Sequence, residues 1–418
     1  MAQLSDDCFA FGGPLLSIDD VERLLIERVT PVAETETVSL TDALGRVLAT
    51  DVIAPVDLPP FDNSAVDGYA VRHADVGAEA DTTLAVVGRL TAGRAAAREI
   101  GAGEAIRIFT GAPMPQGADT VFMQEDVRAE GGTVIVPPGL KLGANRRLAG
   151  EDVARGSVAL AAGRRLQPQD VSMAAALGLR TLPLRRRVRV AIFSTGDEIV
   201  EPGAPLPAAG LYDANRHLLG ALLARLEARV TDLGILRDDP AALAAMLGAA
   251  AAQHDLVLTS GGVSTGEADH VRNTVETIGK LVFWRVAIKP GRPVAMGVLG
   301  GAAFVGLPGN PVAVFVTFAR VVRPLLLRLA GAAPEPLIAL PVTSGFAYRK
   351  KKGRREYVRV SLTRGADGAY VASKHPQDGA GVISSLTATD GLAELADDVT
   401  EIAPGTTIGF LPYSVLAG

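Results

Sequence analysis

The sequence predicts a multidomain α/β protein in which a doubly wound α/β domain is combined with a helical region and two β-rich regions. From residue 187 to about 335, apolar strand-like segments alternate with helix-like segments of ten or more residues, the pattern of a mainly parallel sheet. Residues 55–149 and 336–418 instead contain short β-like segments broken by Gly and Pro. A length of 418 residues is enough for about three domains.

Composition and charge exclude several classes of protein. Hydrophobic residues make up 48% of the chain and charged residues 21%, as in ordinary globular proteins. The net charge of −5 argues against a nucleic-acid partner, and no apolar segment reaches the ~18 residues of a membrane span. The start of the chain lacks the basic and apolar parts of a signal peptide, and the single cysteine, Cys8, is typical of a reducing compartment. We therefore expect a cytoplasmic protein without nucleic-acid or membrane partners.

The N-terminal region has helical periodicity. Residues 17–29 carry apolar side chains three to four positions apart, with Ser17 placed as the N-cap, and "LTDALGRVLAT" predicts a second helix. Residues 150–186 are again compatible with helix. If residues 14–54 and 150–186 pack together as a helical linker domain, the β-rich residues 55–149 form a domain inserted into it.

The α/β domain is predicted over residues 187–335, and the Gly-rich residues 336–418 predict a small C-terminal β-barrel. In doubly wound sheets the ligand crevice lies beyond the carboxyl ends of the parallel strands. Three predicted strands end there in the polar segments "STGDE", "SGGVSTGEAD" and "LPGNP". We therefore expect the main site at this edge of the sheet.

The segment "TSGGVSTGEAD" combines backbone amides that side chains do not hinder with carboxylates and a helix start near Asp269. Such amides bind phosphate, whereas carboxylates repel it unless a cation lies between them. A ligand with phosphate and a divalent metal ion satisfies both groups. The simpler interpretation is that Asp269 only caps the helix.

Other candidates also have simpler interpretations. "LPGNPVAVF" places Pro311 at the first position of a helix with Asn310 as its cap, which is an ordinary helix start. Glu198 follows a strand end but is also a normal solvated loop residue, and Asp238 equally suits the cap of the next helix. Lys289, near a Pro-Gly turn, and the basic segment "YRKKKGRREY", with six basic residues among 349–355, are surface charges or anion-binding groups.

In the β-rich region, "LPPFDNSAVDGYAV" is the densest polar segment. Asp62, Asn63, Ser64 and Asp67 lie within six positions beside two prolines, which favours a preorganised site over a plain polar loop. The segment "IFTGAPMPQGADTV" is similar, with Thr110 at a strand end.

Taken together, these segments resemble one family closely, the molybdopterin molybdenumtransferases of the MoeA and gephyrin E-domain type. The resemblance covers nearly the whole chain in the family's order, through "PPFDNSAVDGYAV", "IFTGAPMPQGADTV", "STGDE", "YDANRHLL", "TSGGVSTGEAD", "AIKPGRP" and "GLPGNPVA". It implies a helical linker domain, an inserted β domain, a molybdopterin-binding α/β domain and a C-terminal barrel, assembled as a homodimer.

The resemblance also implies an activity: insertion of molybdate into adenylylated molybdopterin, with Mg²⁺ as cofactor and release of AMP. It assigns catalytic roles to seven residues: Asp62, Thr110, Glu198, Asp238, Asp269, Lys289 and Arg354. Three of these, Glu198, Asp238 and Asp269, would hold Mg²⁺ against the pyrophosphate, since Mg²⁺ prefers carboxylates and phosphate oxygens. Substrate would be bound by Ser260, Gly261, Gly262, Ser264, Gly266, Arg292, Pro308, Gly309 and Asn310.

Two positions depart from the family pattern: Arg285 stands where a lysine is frequent, and Ala380 stands where a serine is often found. Two alternatives stay open. A dimeric scaffold that binds receptor peptides, as in gephyrin, predicts loss of the acidic residues, which are present here. If the protein were a molybdopterin adenylyltransferase, residues 1–180 and the barrel would have no assigned function. Candidate protein partners are that adenylyltransferase and downstream cofactor-handling proteins.

Overall fold

The computed structural model describes residues 4–5, 8–9, 15–95, 98–237, 239–261, 270–291, 293–365 and 368–418. Its central element is a six-stranded sheet in which the first four strands are parallel, the fifth is antiparallel to them, and the sixth is antiparallel to the fifth. In spatial order the strands are Arg229–Leu236, Arg189–Thr195, Leu256–Ser260, Ala302–Leu307, Pro293–Leu299 and Lys280–Arg285.

Helices cover both faces of this sheet, because its buried strands are apolar on both sides. Val190 and Ile192 face one core, with helices Asn215–Arg225 and Pro311–Thr317, whereas Ala191 and Phe193 face the other. That second core contains the helices Pro240–Gln253 and His270–Ile278. The predicted doubly wound α/β domain is thus confirmed. After Pro311–Thr317 the chain continues through a π-helical turn, Phe318–Val322, into helix Arg323–Leu329.

The first helix, Ile18–Arg28, begins at a capping box in which the side chains of Ser17 and Asp20 bond each other's backbone N–H. Its apolar side chains Val21, Leu24 and Leu25 are buried in the core that also contains Arg323–Leu329. Although the helix lies within the predicted linker segment 14–54, it packs on the α/β domain.

The prediction of a second helix at "LTDALGRVLAT" is wrong. The structure has only a 3₁₀ turn, Leu40–Asp42, and then Gly45 with φ +74°, a left-handed conformation that ends helical structure. The chain next forms antiparallel bridges from Val47 to Arg165 and from Leu48 to Leu184.

Besides the helix Ile18–Arg28, the linker region therefore contains short strands and the helix Pro168–Ala176. Its strands pair as Thr35–Ser39 with Thr181–Arg185, and as Val52–Ile53 with Val158–Leu160. These segments share one small core. The two halves of the linker thus pack together, although the exact domain boundaries stay predictions.

Between these halves lies the β-rich region, built on another six-stranded sheet with a small core on each face. In spatial order the strands are Thr120–Met123, Gly68–Val71, Glu104–Ile108, Thr82–Leu90, Thr133–Val136 and Arg128–Glu130. A small ladder joins Arg146–Arg147 to Asn63–Ser64. Within the described residues, no strand of this region makes an extended contact with a strand or helix beyond residue 187.

The C-terminal region is a closed barrel, as predicted. Five strands close the barrel in this order: Arg355–Arg364, Tyr370–Lys374, Leu340–Ser344, Thr407–Pro412 and Gly391–Leu395, which pairs with the first again. A short ladder pairs Tyr348–Arg349 with Glu401–Ile402, and two short helices, Ser384–Thr387 and Tyr413–Leu416, complete the region. The strand Ile288–Lys289 of the α/β domain pairs in parallel with Arg355–Arg364.

No helix among the residues described is both long and apolar enough to span a membrane.

A buried ion-pair cluster joins the linker to the α/β domain. Asp255, only 4% exposed, accepts hydrogen bonds from both terminal nitrogens of Arg186, at 2.9 and 3.0 Å. It also accepts from the backbone N–H of Arg189, at 2.7 Å, and from that residue's side chain. Burial opposes ionisation of Asp255, but these hydrogen bonds outweigh it and hold its pKa below the ordinary value.

We expect Asp255→Ala to lower the free energy of unfolding near pH 7 by about 3–5 kcal/mol, because it removes the buried carboxylate that Arg186 and Arg189 share and leaves Arg186 only the exposed Glu34 as an ionic partner. Because the folded-state pKa is depressed, this contribution is present above the unfolded pKa of about 3.9 and is lost as pH falls through the folded value. Urea unfolding followed by circular dichroism should therefore show the gap between variant and wild type closing in acid. Asp81→Ala, which breaks an exposed pair with Arg128, is the control and should cost under about 1 kcal/mol.

Candidate functional site

Three polar loops leave the α/β sheet at one edge. Strands Arg189–Thr195, Leu256–Ser260 and Ala302–Leu307 are parallel neighbours, and their ends are in register, with Ser194 beside Ser260 and Ser260 beside Leu307. The loops that carry Glu198, the glycine-rich segment and Pro308–Asn310 therefore begin next to one another.

Asn215, the first residue of helix Asn215–Arg225, ties two of these loops together. Its side-chain amide donates to Ser260 Oγ at 2.8 Å and to the carbonyl of Gly309 at 2.7 Å. Ser260 Oγ in turn donates to the carbonyl of Pro308 at 3.2 Å, and the Gly261 N–H donates to the carbonyl of Leu307. Asn215 lies in the quoted segment "YDANRHLL", but nothing in the sequence showed that its side chain reaches across the loops.

Several buried polar atoms at this edge have no hydrogen-bond partner within the described part of the chain. They are Ser194 Oγ, Thr259 Oγ1 and Asn215 Oδ1. Buried polar groups are rarely left unpaired in folded proteins, so each such atom favours a bound water or ligand at this edge.

The Glu198 carboxylate is exposed and has no hydrogen bond or ion pair to any residue that the structure describes. It folds back over Gly196, which has φ +139°, and a Cβ at that position would lie 2.7 Å from Glu198 Oε2. The exposed Glu198 side chain could move away from such a Cβ, so it is the positive φ of Gly196 that favours glycine here. An unpaired carboxylate at a strand end has the chemistry of a ligand for a hard cation.

The loop that carries Glu198 is anchored by the buried guanidinium of Arg216. Arg216 Nε donates to Asp213 Oδ2 at 2.8 Å, and its terminal nitrogens bond Glu201 and Asp232. These three carboxylates lie on the loop, at its end and on the edge strand Arg229–Leu236. The strand-end loop is thus fixed at both sides.

Six of the predicted site residues lie outside the described residues: Asp238, Gly262, Ser264, Gly266, Asp269 and Arg292. The structure nevertheless bears on Asp238. Its neighbour Asp239 caps helix Pro240–Gln253, accepting from the N–H groups of Ala241 and Ala242 at 2.9 and 3.2 Å. The capping role considered for Asp238 is therefore filled by Asp239. No cluster of three or more His, Cys, Asp or Glu residues able to hold a metal occurs within the described ranges.

Lys289 and Arg354 come from different domains and meet at one carboxylate, Glu356. Lys289 Nζ lies 3.1 Å from Glu356 Oε2, and Arg354 Nε donates to Glu356 Oε1 at 2.7 Å. Tyr348 OH donates to Oε2 at 2.9 Å. Burial opposes ionisation of Glu356, but the hydrogen bonds from Lys289, Tyr348 and Arg354 outweigh it and hold its pKa below the ordinary value. Sequence analysis did not identify Glu356 or Tyr348.

The other members of the basic segment have distinct environments. Lys350 is buried and donates to the carbonyl of Arg354 at 2.7 Å, which shapes the loop. Arg349 pairs with Glu401, whereas Lys351 and Lys352 are exposed with no side-chain partner in the described structure. The segment is therefore not a uniform anion-attracting arm.

The turn that follows Lys289 packs closely against helix Pro311–Thr317. A Cβ atom added to Gly291 would lie only 2.3 Å from Thr317 Oγ1 of that helix. At the start of that helix, the Val312 N–H donates to the carbonyl of Ala380 at 3.0 Å. The "AIKPGRP" turn, the "LPGNP" segment and a barrel loop are thus brought together.

The absent hydroxyl at Ala380 is not replaced by Ser385. That side chain is buried, accepts from Arg359 Nε at 3.0 Å and donates to the carbonyl of Val382. Ser384 is exposed and begins the short helix Ser384–Thr387.

Asp62 and Thr110 lie in the β-rich region, where neighbouring segments hold them. Asp62 accepts from the Ala149 N–H at 2.7 Å and from Arg146 Nε at 3.1 Å, and these bonds lower its pKa. Thr110 donates to Asp67 Oδ1 through its N–H and its hydroxyl, at 2.8 and 2.7 Å. Arg146 was not identified from the sequence, since only the fold brings it to Asp62.

Three family descriptions match the chain in sequence order. They are "MoeA N-terminal region (domain I and II)" over residues 16–178, "Probable molybdopterin binding domain" over 191–328 and "MoeA C-terminal region (domain IV)" over 341–413.

Similar proteins extend over almost the whole chain. A Haemophilus influenzae protein named molybdopterin molybdenumtransferase is 37% identical over 409 residues, 97% of this chain and 100% of that protein. A Nostoc protein of the same name is 36% identical over 408 residues, 94% of this chain and 93% of that protein. The crystal structure of a molybdopterin biosynthesis moeA protein from Pyrococcus horikoshii has a TM-score of 0.80 and 30% identity, covering 96% of this chain and 100% of that one.

We expect Asn215→Ala to release the loops at the strand ends, because it removes the donor to Ser260 and Gly309. The free energy of unfolding should fall by about 1–3 kcal/mol. Hydrogen exchange at the Gly261 amide, which bonds Leu307 beside the released loop, should accelerate. Asn273→Ala, on the exposed face of helix His270–Ile278, is the control and should change neither quantity. Unchanged exchange in Asn215→Ala would show that the loops hold their geometry without this side chain.

Proposed function

Because the chain belongs to the molybdopterin molybdenumtransferase family and is a transferase of molybdenum cofactor biosynthesis, we propose that it transfers molybdenum from molybdate to adenylylated molybdopterin, with Mg²⁺ present and with release of AMP. The observation that supports this proposal is the meeting of Lys289 and Arg354, from two domains, at the buried carboxylate of Glu356.

Molybdate is a tetrahedral dianion, so its site needs positive charge and several N–H donors. The Lys289 side chain is 50% exposed and that of Arg354 is 20% exposed, so both reach solvent although Glu356 holds them. Charge-assisted hydrogen bonds from ammonium and guanidinium groups are the strong type that retains an oxyanion. One carboxylate between two cations leaves this position with a net positive charge.

The strand ends would bind the phosphates of the adenylylated substrate. Gly261, with φ +85°, opens the glycine-rich segment, whose backbone amides suit phosphate oxygens. Asn215 fixes Ser260 and Gly309, and Asn215 Oδ1 and Ser194 Oγ, which have no partner among the described residues, would bond substrate or ordered water. Pro308 and Asn310 would line the same crevice.

Mg²⁺ would be held by Glu198, Asp238 and Asp269. The donor set fits this ion, because Mg²⁺ prefers oxygen ligands and Glu198 has a carboxylate with no partner among the described residues. When bound, the ion would neutralise charge on the pyrophosphate link that is broken when AMP leaves.

The direct test is to mix the protein with adenylylated molybdopterin and to measure AMP by chromatography, with and without molybdate and Mg²⁺. We expect release of AMP to require both ions. A scaffold would release none under any condition, and an adenylyltransferase would instead consume ATP with molybdopterin. Either result would contradict the proposal.

For Arg354, we expect Arg354→Ala to raise the molybdate concentration needed for half-maximal AMP release at least about tenfold, because a direct charge-assisted contact is lost. Lys351→Ala and Lys352→Ala are matched controls in the same loop, since both side chains are exposed and unpaired within the described structure. Equal, small and salt-sensitive effects for all three variants would mean that the loop acts only as a diffuse charge.

We further propose that the protein acts in the cytoplasm as a homodimer in which the β-rich region of one subunit completes the α/β site of the other. Asp62 and Thr110 belong to a region that makes no extended contact with the α/β domain within the described part of one chain. Two-fold dimers are the commonest homo-oligomers, and in them a site shared between subunits occurs twice. The molybdopterin adenylyltransferase and downstream cofactor-handling proteins remain proposed partners.

The shared site predicts complementation. Asp62→Ala and Asp269→Ala should each be inactive alone, because each removes a carboxylate from both sites of its dimer. When the two variants are co-expressed, mixed dimers carry one site with both lesions and one intact site. Random pairing makes half of the dimers mixed, so AMP release should recover to about a quarter of the wild-type rate. Verified mixed dimers without activity would place both residues in the site of a single chain.

A further inference from the structure

Glu356 is an acidic residue within the basic segment, and it has the best-buried carboxylate near the predicted cations. Its side chain is 1% exposed, whereas the side chains of Lys289 and Arg354 are 50% and 20% exposed. It lies on strand Arg355–Arg364, directly beside Lys289 in the parallel pairing with strand Ile288–Lys289. The backbone register therefore sets the two side chains next to each other.

Both oxygens of this carboxylate are occupied. Oε1 accepts from Arg354 Nε at 2.7 Å, and Oε2 accepts from Lys289 Nζ at 3.1 Å and from Tyr348 OH at 2.9 Å. Tyr348 is itself fixed, since its ring packs edge-on against Phe346 at 6.4 Å between ring centroids.

We propose that Glu356 is a positioning residue, which holds Lys289 of the α/β domain and Arg354 of the barrel at one fixed separation for a tetrahedral oxyanion. The inference rests on the proposed function, since it takes molybdate as the anion. Glu356 acts through the two cations and does not itself contact the anion, which a buried carboxylate would repel.

Two cations share the one carboxylate, and Tyr348 bonds the same group, so the cluster keeps one positive charge that no carboxylate within it neutralises. Free donors remain on both cations. Lys289 Nζ bonds Glu356 and Tyr348 but has three N–H groups, and Arg354 Nη1 has no partner within the residues described. These donors are available to one bridging anion.

Protonation of the cluster agrees with this geometry. Burial lowers the pKa of Lys289, but the hydrogen bonds to Glu356 and Tyr348 outweigh it and raise the pKa above the ordinary value. Among the described residues, the charged and titratable groups around the cluster are Lys289, Tyr348, Lys350, Arg354, Arg359 and Glu356 itself, with Asp397 and Asp398 beside Lys350. Without the carboxylate, burial of Lys289 would favour loss of its proton.

The test uses the full-length protein and inorganic molybdate as the probe, with binding measured by titration calorimetry from neutral to alkaline pH. Glu356→Gln keeps one acceptor oxygen but places an amide NH₂ toward the second cation. We expect the molybdate Kd to rise at least about tenfold, because small displacements of binding groups have large effects. The alkaline loss of binding should also begin at lower pH, since Lys289 loses the partner that raises its pKa.

The matched control is Glu394→Gln. Glu394 is a barrel carboxylate that bonds Tyr357 OH at 3.0 Å and lies near Arg355, without touching Lys289 or Arg354. It should leave both the Kd and the pH profile unchanged. If Glu356→Gln does not fold by circular dichroism, Tyr348→Phe tests the same point, since it removes one hydrogen bond from Oε2 and should raise the Kd by a smaller factor.

Wild-type affinity and pH profile in the folded Glu356→Gln variant, or tighter binding, would overturn the positioning role and make Glu356 a mere counter-ion. That result is distinct from failure of the proposed function, in which the wild-type protein itself shows no molybdate-dependent release of AMP. In that second case the positioning role falls with it.

Discussion

The pairing of strand Ile288–Lys289 with the barrel strand Arg355–Arg364 is the contact on which the proposed anion-binding position depends. It extends the barrel sheet with a segment of the α/β domain, and it places Lys289 beside Glu356. The Arg355 N–H also bonds the carbonyl of Ala287, so the connection is made by backbone groups that no side-chain substitution removes. The two domains thereby share one charged cluster, besides an apolar core in which barrel residues such as Tyr357 and Leu392 join those of the α/β domain.

At the strand ends of the α/β sheet, too, a few contacts hold several segments together. Parallel neighbours deliver their loops to one edge, but loops need anchors to keep a fixed shape. Here Asn215 anchors two loops from a helix start, and Arg216, the next residue, anchors a third from within the core. Two consecutive residues at one helix start therefore hold the described ends of these loops. Their polar side chains are buried or half-buried, so their hydrogen bonds are worth more than they would be at an exposed surface.

Local sequence patterns were sufficient for the periodic elements and for the edge at which the loops gather. Buried strands such as Leu256–Ser260 are continuous apolar segments, and the helices after them carry their own start signals. The pattern gave a wrong prediction at "LTDALGRVLAT", where the apolar spacing suits a helix. The left-handed conformation of Gly45 and the pairing of this segment with residues 164–184 prevent that helix.

Side-chain partners are the part of the site that sequence could not supply. Arg146 lies 84 positions from Asp62, and Glu356 lies 67 positions from Lys289. No periodicity relates residues so far apart, and only the folded chain shows which carboxylate serves which cation. The adjacent aspartates at 238 and 239 illustrate a finer limit, since either suits a helix cap by type and only geometry identifies Asp239.

Two chain segments connect the β-rich region to the linker, and they pair with each other in antiparallel fashion. The pairing joins Val52–Ile53 to Val158–Leu160 and is followed by a bridge from Leu58 to Val153. The two connections run side by side as a two-stranded stalk, and Val52 and Leu160 on this stalk are buried in the linker core. The linker core therefore fixes the direction in which the β-rich region leaves it. The position of Asp62 relative to the linker therefore depends on the geometry of this short pairing.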